Sequence, residues 1–248
     1  MIYAFSGNGN SERVAARIRK ELGGDDVSLG FVFPVYGWRT PKIVRRFVAG
    51  DLPDLLDGRK FPYVWAILVC GDNVGAADRD FERRLSKAVG FGLDAAFSVR
   101  MPDTYLALPG FRLDTEEESG AKFEAFERAA PGITGKIVRR ERVRNLERGL
   151  LPRFKTAIAG GVFDRFLSGH GGFSVDAKKC LRCGICAKNC PCGAISAGEG
   201  GLPEWNEDCT LCMRCYHNCA GDAIEYGRFT KGKGRLRSGV QGGIISLV

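Results

Sequence analysis

Apolar residues in the first half of the chain follow two alternating spacings. Continuous apolar runs predict buried strands at 2–6, 27–33, 63–70 and 95–101. Between them, apolar residues three or four positions apart predict helices. These residues are Val14, Ala15, Ile18 and Leu22, then Ile43, Val44, Phe47 and Val48 after Pro41, then Phe81, Leu85, Ala88 and Val89. Thr115 and Glu118 have the spacing of a capping box, which predicts one more helix. Strands alternating with helices predict an α/β domain with a mostly parallel sheet.

Three polar loops follow the predicted strands, at the carboxyl ends where ligands of such sheets bind. The first combines glycines with side-chain donors before a helix, which is typical of a phosphate site; it comprises Ser6, Gly7, Asn8, Gly9, Asn10 and Ser11. The second carries two aromatic residues that can stack on a planar ring; it comprises Pro34, Val35, Tyr36, Gly37 and Trp38. The third comprises Cys70, Gly71, Asp72, Asn73 and Gly75. A capped turn without ligand, and core positions for both aromatics, are the alternatives.

Eight of the ten cysteines form one spacing used twice, C-x₂-C-x₂-C-x₃-C. This is the ligand pattern of proteins with two [4Fe–4S] clusters, in which the fourth cysteine of each run binds the other cluster. It predicts cluster one at Cys180, Cys183, Cys186 and Cys219. It predicts cluster two at Cys209, Cys212, Cys215 and Cys190. Cys70 and Cys192 are left over, and we expect them to be small buried residues.

Zinc and disulfide bonds are the competing interpretations of the cysteines. Structural zinc sites use cysteine pairs rather than triplets with a distant fourth ligand. Disulfide frameworks belong to small secreted domains, whereas this chain enters an apolar run directly after Met1, without a signal-peptide pattern. We therefore expect iron–sulfur clusters and a reducing cytoplasm. Since eight cysteines complete both clusters, His217 is expected to be a surface residue beside a cluster.

The order of these motifs resembles a bacterial flavodoxin–ferredoxin fusion family over essentially the whole chain. The resemblance rests on the three loops, on the run Met-Pro-Asp-Thr-Tyr at 101–105 and on the cysteine runs. It implies a flavodoxin-like doubly wound parallel sheet that binds FMN with the three loops. It also implies a C-terminal α+β ferredoxin domain with two [4Fe–4S] clusters.

Two departures from the family stand in the first domain. Asn8 replaces the usual threonine of the phosphate loop, which removes a hydroxyl donor. Only the short run 23–26 joins the first helix to the next strand, where a flavodoxin places an additional edge strand. That strand is either absent or merged with the strand predicted at 27–33.

Composition divides the chain into four parts: a flavodoxin-like domain at 1–149, a docking linker at 150–173, the ferredoxin domain at 174–230 and a basic tail at 231–248. The arginines of 139–153 alternate with acids and predict a solvated helix face. The apolar stripe of 150–167 predicts the element that docks the domains, with a membrane-surface helix as the alternative. The tail is expected to be partly disordered.

The formal charge of +8 over 248 residues raises the possibility of a nucleic-acid partner. Each oxidised cluster with four thiolates carries about −2, and a flavin phosphate adds about −2. The holoprotein is then close to neutral, and no nucleic-acid motif is visible, so we expect no nucleic acid. No stretch of about 18 residues is free of charge, so we expect no membrane span.

The function implied by the resemblance is electron transfer between FMN, the two clusters and a redox protein partner. No acid–base or nucleophilic constellation stands out, so no catalytic residue is assigned. One alternative is a flavin-dependent oxidoreductase with its own small-molecule substrate, in which Tyr105 shapes the pocket. The other is a non-redox scaffold that senses iron or oxygen through its clusters.

Overall fold

The computed structural model describes residues 1–23, 27–108, 110–163, 170–237 and 243–247. Its larger sheet has six strands in the order β10-β1-β2-β3-β4-β5, where β10 is Gly243–Leu247 and β1 to β5 are parallel. These five are β1 (Ile2–Ser6), β2 (Leu29–Pro34), β3 (Val64–Cys70), β4 (Ala95–Arg100) and β5 (Arg144–Asn145). Every residue of β3 is buried, because the strand lies between two layers of helices.

Helices cover both faces of the sheet. They are α1 (Asn10–Leu22), α2 (Lys42–Ala49), α3 (Asp51–Leu56), α4 (Ala77–Val89) and α5 (Glu116–Val138). Apolar residues of α1 and α5 pack on one face, and those of α2, α3 and α4 on the other. The capping box of Thr115 and Glu118 is present at the start of α5, as predicted. This arrangement confirms the expected flavodoxin-like α/β fold.

The edge beside β1 differs from a flavodoxin sheet. Strand β2 lies directly beside β1, and β10 (Gly243–Leu247) pairs antiparallel with β1 on its outer side. No further strand lies between α1 and β2 in the described residues, and 24–26 lie outside them. The strand predicted from position 27 begins at Leu29, and Val27 is 57% exposed. The backbone of 243–247 pairs with β1 and covers an edge of the sheet that would otherwise stay unpaired. This part of the tail therefore forms a strand, whereas partial disorder was expected for the tail.

The arginine-rich segment 139–153 does not form the predicted solvated helix. Its chain makes turns and the short strand β5, and Arg148 pairs through two hydrogen bonds of 2.8 Å with the carboxylate of Asp78. Asp78 is buried in the first turn of α4, so the arginine neutralises a carboxylate that burial would otherwise disfavour. The ion pair between Arg148 and Asp78 therefore holds this part of the segment in a non-helical conformation.

The predicted docking element is helical and has two distinct faces. It comprises α6 (Pro152–Phe154), a π-helical turn at Lys155–Ala159 and α7 (Gly160–Val162). On one face, the Thr156 hydroxyl accepts from the N–H of Ala76 (2.8 Å) and donates to the carbonyl of Trp38 (3.1 Å). The other face leaves apolar side chains exposed, namely Leu151, Phe154, Ile158 and Val162. The predicted stripe beyond 163 lies outside the described residues.

A small second domain follows, built from two antiparallel strand pairs. Its strands are β6 (Phe173–Val175), β7 (Ile195–Ala197), β8 (Pro203–Trp205) and β9 (Ile224–Tyr226), with β6 paired to β9 and β7 to β8. Its two short helices are α8 (Ile185–Lys188) and α9 (Arg214–His217). None of the helices in the described part of the chain combines the length and apolarity that crossing a membrane requires.

Candidate iron–sulfur and flavin sites

The two cysteine runs fold into the same backbone shape twice. Helices α8 and α9 each begin after a residue with left-handed backbone, Gly184 (φ 69°) and Met213 (φ 60°). The sulfur of the fourth cysteine in each run accepts a hydrogen bond of 3.3 Å from the backbone N–H four residues later. Ala194 donates to Cys190, and Ala223 donates to Cys219. Such N–H donors stabilise thiolate charge in iron–sulfur sites.

The first cysteine cavity contains the crossed ligand set predicted for cluster one. Its volume is about 530 Å³, open mouth included. Three cysteines of the first run and the last cysteine of the second run line it: Cys180, Cys183, Cys186 and Cys219. The chain therefore brings together four thiols that are separated by up to 39 positions in sequence, as crossed ligation requires.

The second cysteine cavity contains the set predicted for cluster two. Its volume is about 290 Å³, and its thiols are Cys209, Cys212, Cys215 and Cys190, with the leftover Cys192 beside them. The indole N–H of Trp205 lies against the Cys215 sulfur on the wall of this cavity, and its hydrogen bond favours the thiolate of Cys215. Such a donor suits the sulfur of a cluster ligand.

Burial disfavours the thiolate form of two cysteines of the second cavity, which a bound metal would stabilise. Burial raises the pKa of Cys212 to about 12 and that of Cys209 to about 11. Within the described ranges, no three His, Cys, Asp or Glu side chains converge as they would around a single ion. The sulfurs line the walls of a cavity instead, and the donor set of four thiols fits a cluster of iron and sulfide.

The two cavities differ in their exposure. Cys183 at the first cavity is exposed, and the neighbouring Leu181 is 65% exposed. At the second cavity Cys209 is buried, and the rings of Phe173 and Trp205 stack at 4.9 Å on its wall. The first cavity therefore has the more exposed ligand set, with Cys183 exposed, and the second has the more buried one, with Cys209 buried.

A third cavity of about 470 Å³, open mouth included, lies at the carboxyl ends of β1 to β4; we call it the flavin cavity because the residues predicted to bind flavin line it. Of the predicted flavin residues, ten line it: Ser6, Gly7, Asn8, Asn10, Ser11, Pro34, Val35, Tyr36, Cys70 and Gly71. Six predicted residues do not: Gly9, Gly37, Trp38, Asp72, Asn73 and Gly75. The three predicted loops do not include Val69 and 101–104, which also line the cavity, although 101–104 follow β4 as the other loops follow their strands. Tyr105, which was expected to shape a substrate pocket, lines the cavity as well.

Tyr36 and Trp38 do not line the same cavity. The indole N–H of Trp38 donates to Oδ1 of Asn73 over 3.0 Å, and its ring lies against Gly75. Tyr36 lines the flavin cavity, and burial raises the pKa of its hydroxyl well above the usual value. The expected sandwich of a planar ring by both side chains is therefore not the geometry found here.

The first loop has features of an anion site. The hydroxyl of Ser11 is buried at the cavity without a partner among the described residues, and it follows the N-terminus of the 13-residue helix α1. Gly9 takes the left-handed conformation (φ 96°), and its N–H donates to Oγ of Ser6 (2.9 Å). A helix N-terminus with an unpartnered hydroxyl fits the phosphate of FMN.

The second domain packs directly on this loop. Nδ2 of Asn218 donates to Oδ1 of Asn8 (3.1 Å), and Nδ2 of Asn8 donates to the carbonyl of Leu236 (3.0 Å). The residue that departs from the family pattern thus holds the two domains together. A Cβ added at Gly7 would lie 2.9 Å from the Cβ of Cys212, so the phosphate loop touches a predicted ligand of cluster two.

His217 is buried in this interface, not at the surface as predicted. Nδ1 accepts from the N–H of Leu236 (3.2 Å), so Nε2 carries the proton and donates to the carbonyl of Thr104 (2.7 Å). Burial lowers the pKa of His217 to about 4, which keeps the ring neutral. The side chain ties α9 to the loop after β4.

The flavin cavity also contains two groups whose ionisation burial disfavours. Burial raises the pKa of the Asp103 carboxyl, which accepts a hydrogen bond from the N–H of Tyr105 (2.9 Å). The Tyr105 hydroxyl is buried without a partner among the described residues, and burial raises its pKa as well. Burial thus disfavours the charged form of both groups at the wall of this cavity.

Comparison with known families agrees with the cysteine geometry. Residues 173–196 match the family described as 4Fe-4S binding domain. The match covers the first cysteine run and the strand before it, so an iron–sulfur domain is present at this position. The second run lies outside the matched residues. No curated protein is similar enough to the chain to count as a match.

Proposed function

We propose that the chain is an iron–sulfur flavoprotein that passes electrons between FMN, two [4Fe–4S] clusters and a redox protein partner. FMN supplies exchange of one or two electrons, and each cluster supplies exchange of one. In this proposal residues 1–149 bind the flavin, 150–173 dock the domains, 174–230 bind the clusters and 231–248 form the returning tail. The protein acts in a reducing cytoplasm.

The observation that carries the proposal is the contact of the flavin cavity with the second cysteine cavity. Gly7 and Tyr36 line the former, Cys212 lines the latter, and all three meet at one point. The first cysteine cavity shares crossed ligation with the second and opens outward. This supports an order of flavin, cluster two, cluster one and partner.

Anaerobic reductive titration tests this function. We expect the purified protein to take up about four electrons, two for the flavin and one for each cluster. Electron paramagnetic resonance should show two interacting clusters. Fewer than three electrons per chain in protein of full iron content would contradict the flavin part of the proposal.

A second candidate is a flavin-dependent oxidoreductase that acts on its own small molecule. Asp103 and Tyr105 favour it, because they line the flavin cavity and burial disfavours the charged form of each. A pure electron carrier has no need of a buried acid there. Reduction of the flavin by a small organic donor, without another protein, and its loss in Asp103→Asn with flavin retained, would support this candidate.

A further inference from the structure

The exposed face of the first cysteine cavity combines an apolar centre with a basic rim. Its centre is Leu181 and Ile185, which are 65% and 38% exposed. Its rim comprises Arg182, which lines the cavity, and Lys178, Lys179 and Lys188, which are exposed and lie within two positions of lining residues in sequence. We call these six residues the cluster-one face.

Positive charge dominates this face. Residues 176–190 carry four cations and a single carboxylate, Asp176, which lies 4.0 Å from Nζ of Lys179. Glu199 adds a second carboxylate on the adjoining turn, and Nε of Arg182 donates to the carbonyl of Gly200 (2.8 Å). The rim is therefore a cationic surface, and the hydrogen bond to Gly200 fixes the side chain of Arg182.

We propose that the cluster-one face is the docking surface for an acidic one-electron redox protein. A cationic rim steers an anionic partner, and the apolar centre is desolvated when the two surfaces meet. Because Cys183 and Gly184 are exposed within the face, the partner approaches closely to the ligands of cluster one. One electron crosses per encounter: the chain loses it, the partner gains it, and no bond or proton is transferred.

This inference rests on the proposed electron transfer and adds the class of partner and its place of contact. Access to cluster two is more restricted, since its predicted ligand Cys212 lies against Gly7 in the domain interface and Cys209 is buried. A partner therefore reaches a cluster most directly at the cluster-one face.

The test compares two double charge reversals in the full chain. Lys178→Glu/Lys188→Glu alters the face, and Arg83→Glu/Lys87→Glu alters exposed positions of α4 by the same net charge. Each dithionite-reduced protein is mixed in a stopped-flow instrument with oxidised acidic flavodoxin, and separately with basic cytochrome c. Iron content and electron paramagnetic resonance of each variant are recorded first.

We expect the wild-type rate with acidic flavodoxin to fall as salt rises. The face variant should react at least tenfold more slowly with flavodoxin and faster with cytochrome c, while the α4 variant changes less than twofold. Equal effects of both variants, or a wild-type rate that rises with salt, would overturn the proposal. Absence of clusters from the wild type would instead refute the proposed function, so the two failures are distinguishable.

Discussion

Arg214 joins the two candidate cofactor sites through one hydrogen bond, from its Nη1 to the carbonyl oxygen of Gly7 over 2.7 Å. The side chain is 2% exposed and lines the second cysteine cavity, whereas Gly7 lines the flavin cavity. Its Nε finds no acceptor among the described residues. A buried guanidinium requires negative charge nearby; Glu12 supplies part of it, and the thiolates and sulfides of a cluster would add to it.

Replacing Arg214 should therefore change the redox equilibrium of cluster two. Arg214→Met removes a cation beside the cluster, so the reduced, more negative state loses stabilisation. We expect at least a tenfold shift toward the oxidised state, about 59 mV for one electron. Potentiometry with detection by electron paramagnetic resonance measures it. Arg228→Met, at an exposed position of the same domain, is the control. Equal potentials in all three proteins would contradict this role.

A methyl group at Gly7 should separate the two domains. In Gly7→Ala the new Cβ would lie 2.9 Å from the Cβ of Cys212 and collide with the Tyr36 hydroxyl, so the loop or the cluster ligand must move. We expect at least tenfold weaker FMN binding, measured by fluorescence quenching. Gly120→Ala in α5 meets no atom within 4 Å and should bind FMN normally while gaining about 1 kcal/mol of stability.

Crossed ligation predicts which thiols each cysteine variant exposes. Cys219→Ala should lose about half of the iron and release Cys180, Cys183 and Cys186 for alkylation. Cys190→Ala should release the second set instead, namely Cys209, Cys212 and Cys215. Mass spectrometry after treatment with iodoacetamide identifies the modified residues. If each variant exposed the cysteines of its own run, ligation would be uncrossed and the assignment wrong.

Cys70 should resist alkylation at neutral pH. Burial raises the pKa of its thiol from the ordinary 9.0 to about 12, so about one molecule in ten thousand is ionised at pH 8. The folded state keeps a proton that the unfolded state releases between about pH 9 and 12. The free energy of unfolding therefore falls with rising pH across that window, by up to about 1.4 kcal/mol per pH unit.

The rate of Cys70 labelling by iodoacetamide measures this pKa. It should rise with pH toward 12 in the folded protein and level off near pH 9 in guanidinium. Labelling of the folded protein at pH 8 as fast as in guanidinium would show that the thiol is not shielded.

The sequence predicts the sheet well because its signal is local. The apolar run from Val64 to Cys70 and the capping box at Thr115 need only their neighbours to fix their conformation. Strand β5 has only two residues, Arg144 and Asn145, and its conformation depends on pairing with β4 and on Asp78, neither of which is local.

The candidate sites show the same division. Cysteine spacing predicts both ligand sets, because it describes the reach of a short loop. The position of Trp38 beside Asn73, and that of His217 beside Thr104, depends on packing between distant segments. The edge of the sheet likewise depends on a strand more than 230 positions after β1 in sequence.

The iron, acid-labile sulfide and flavin content of the anaerobically purified protein shows whether one chain holds a flavin and two clusters. We expect about eight irons, eight sulfides and one FMN per chain, with flavin and cluster absorbance in one spectrum. Four irons, or eight irons without flavin after incubation with FMN, would contradict an electron path that joins a flavin to two clusters.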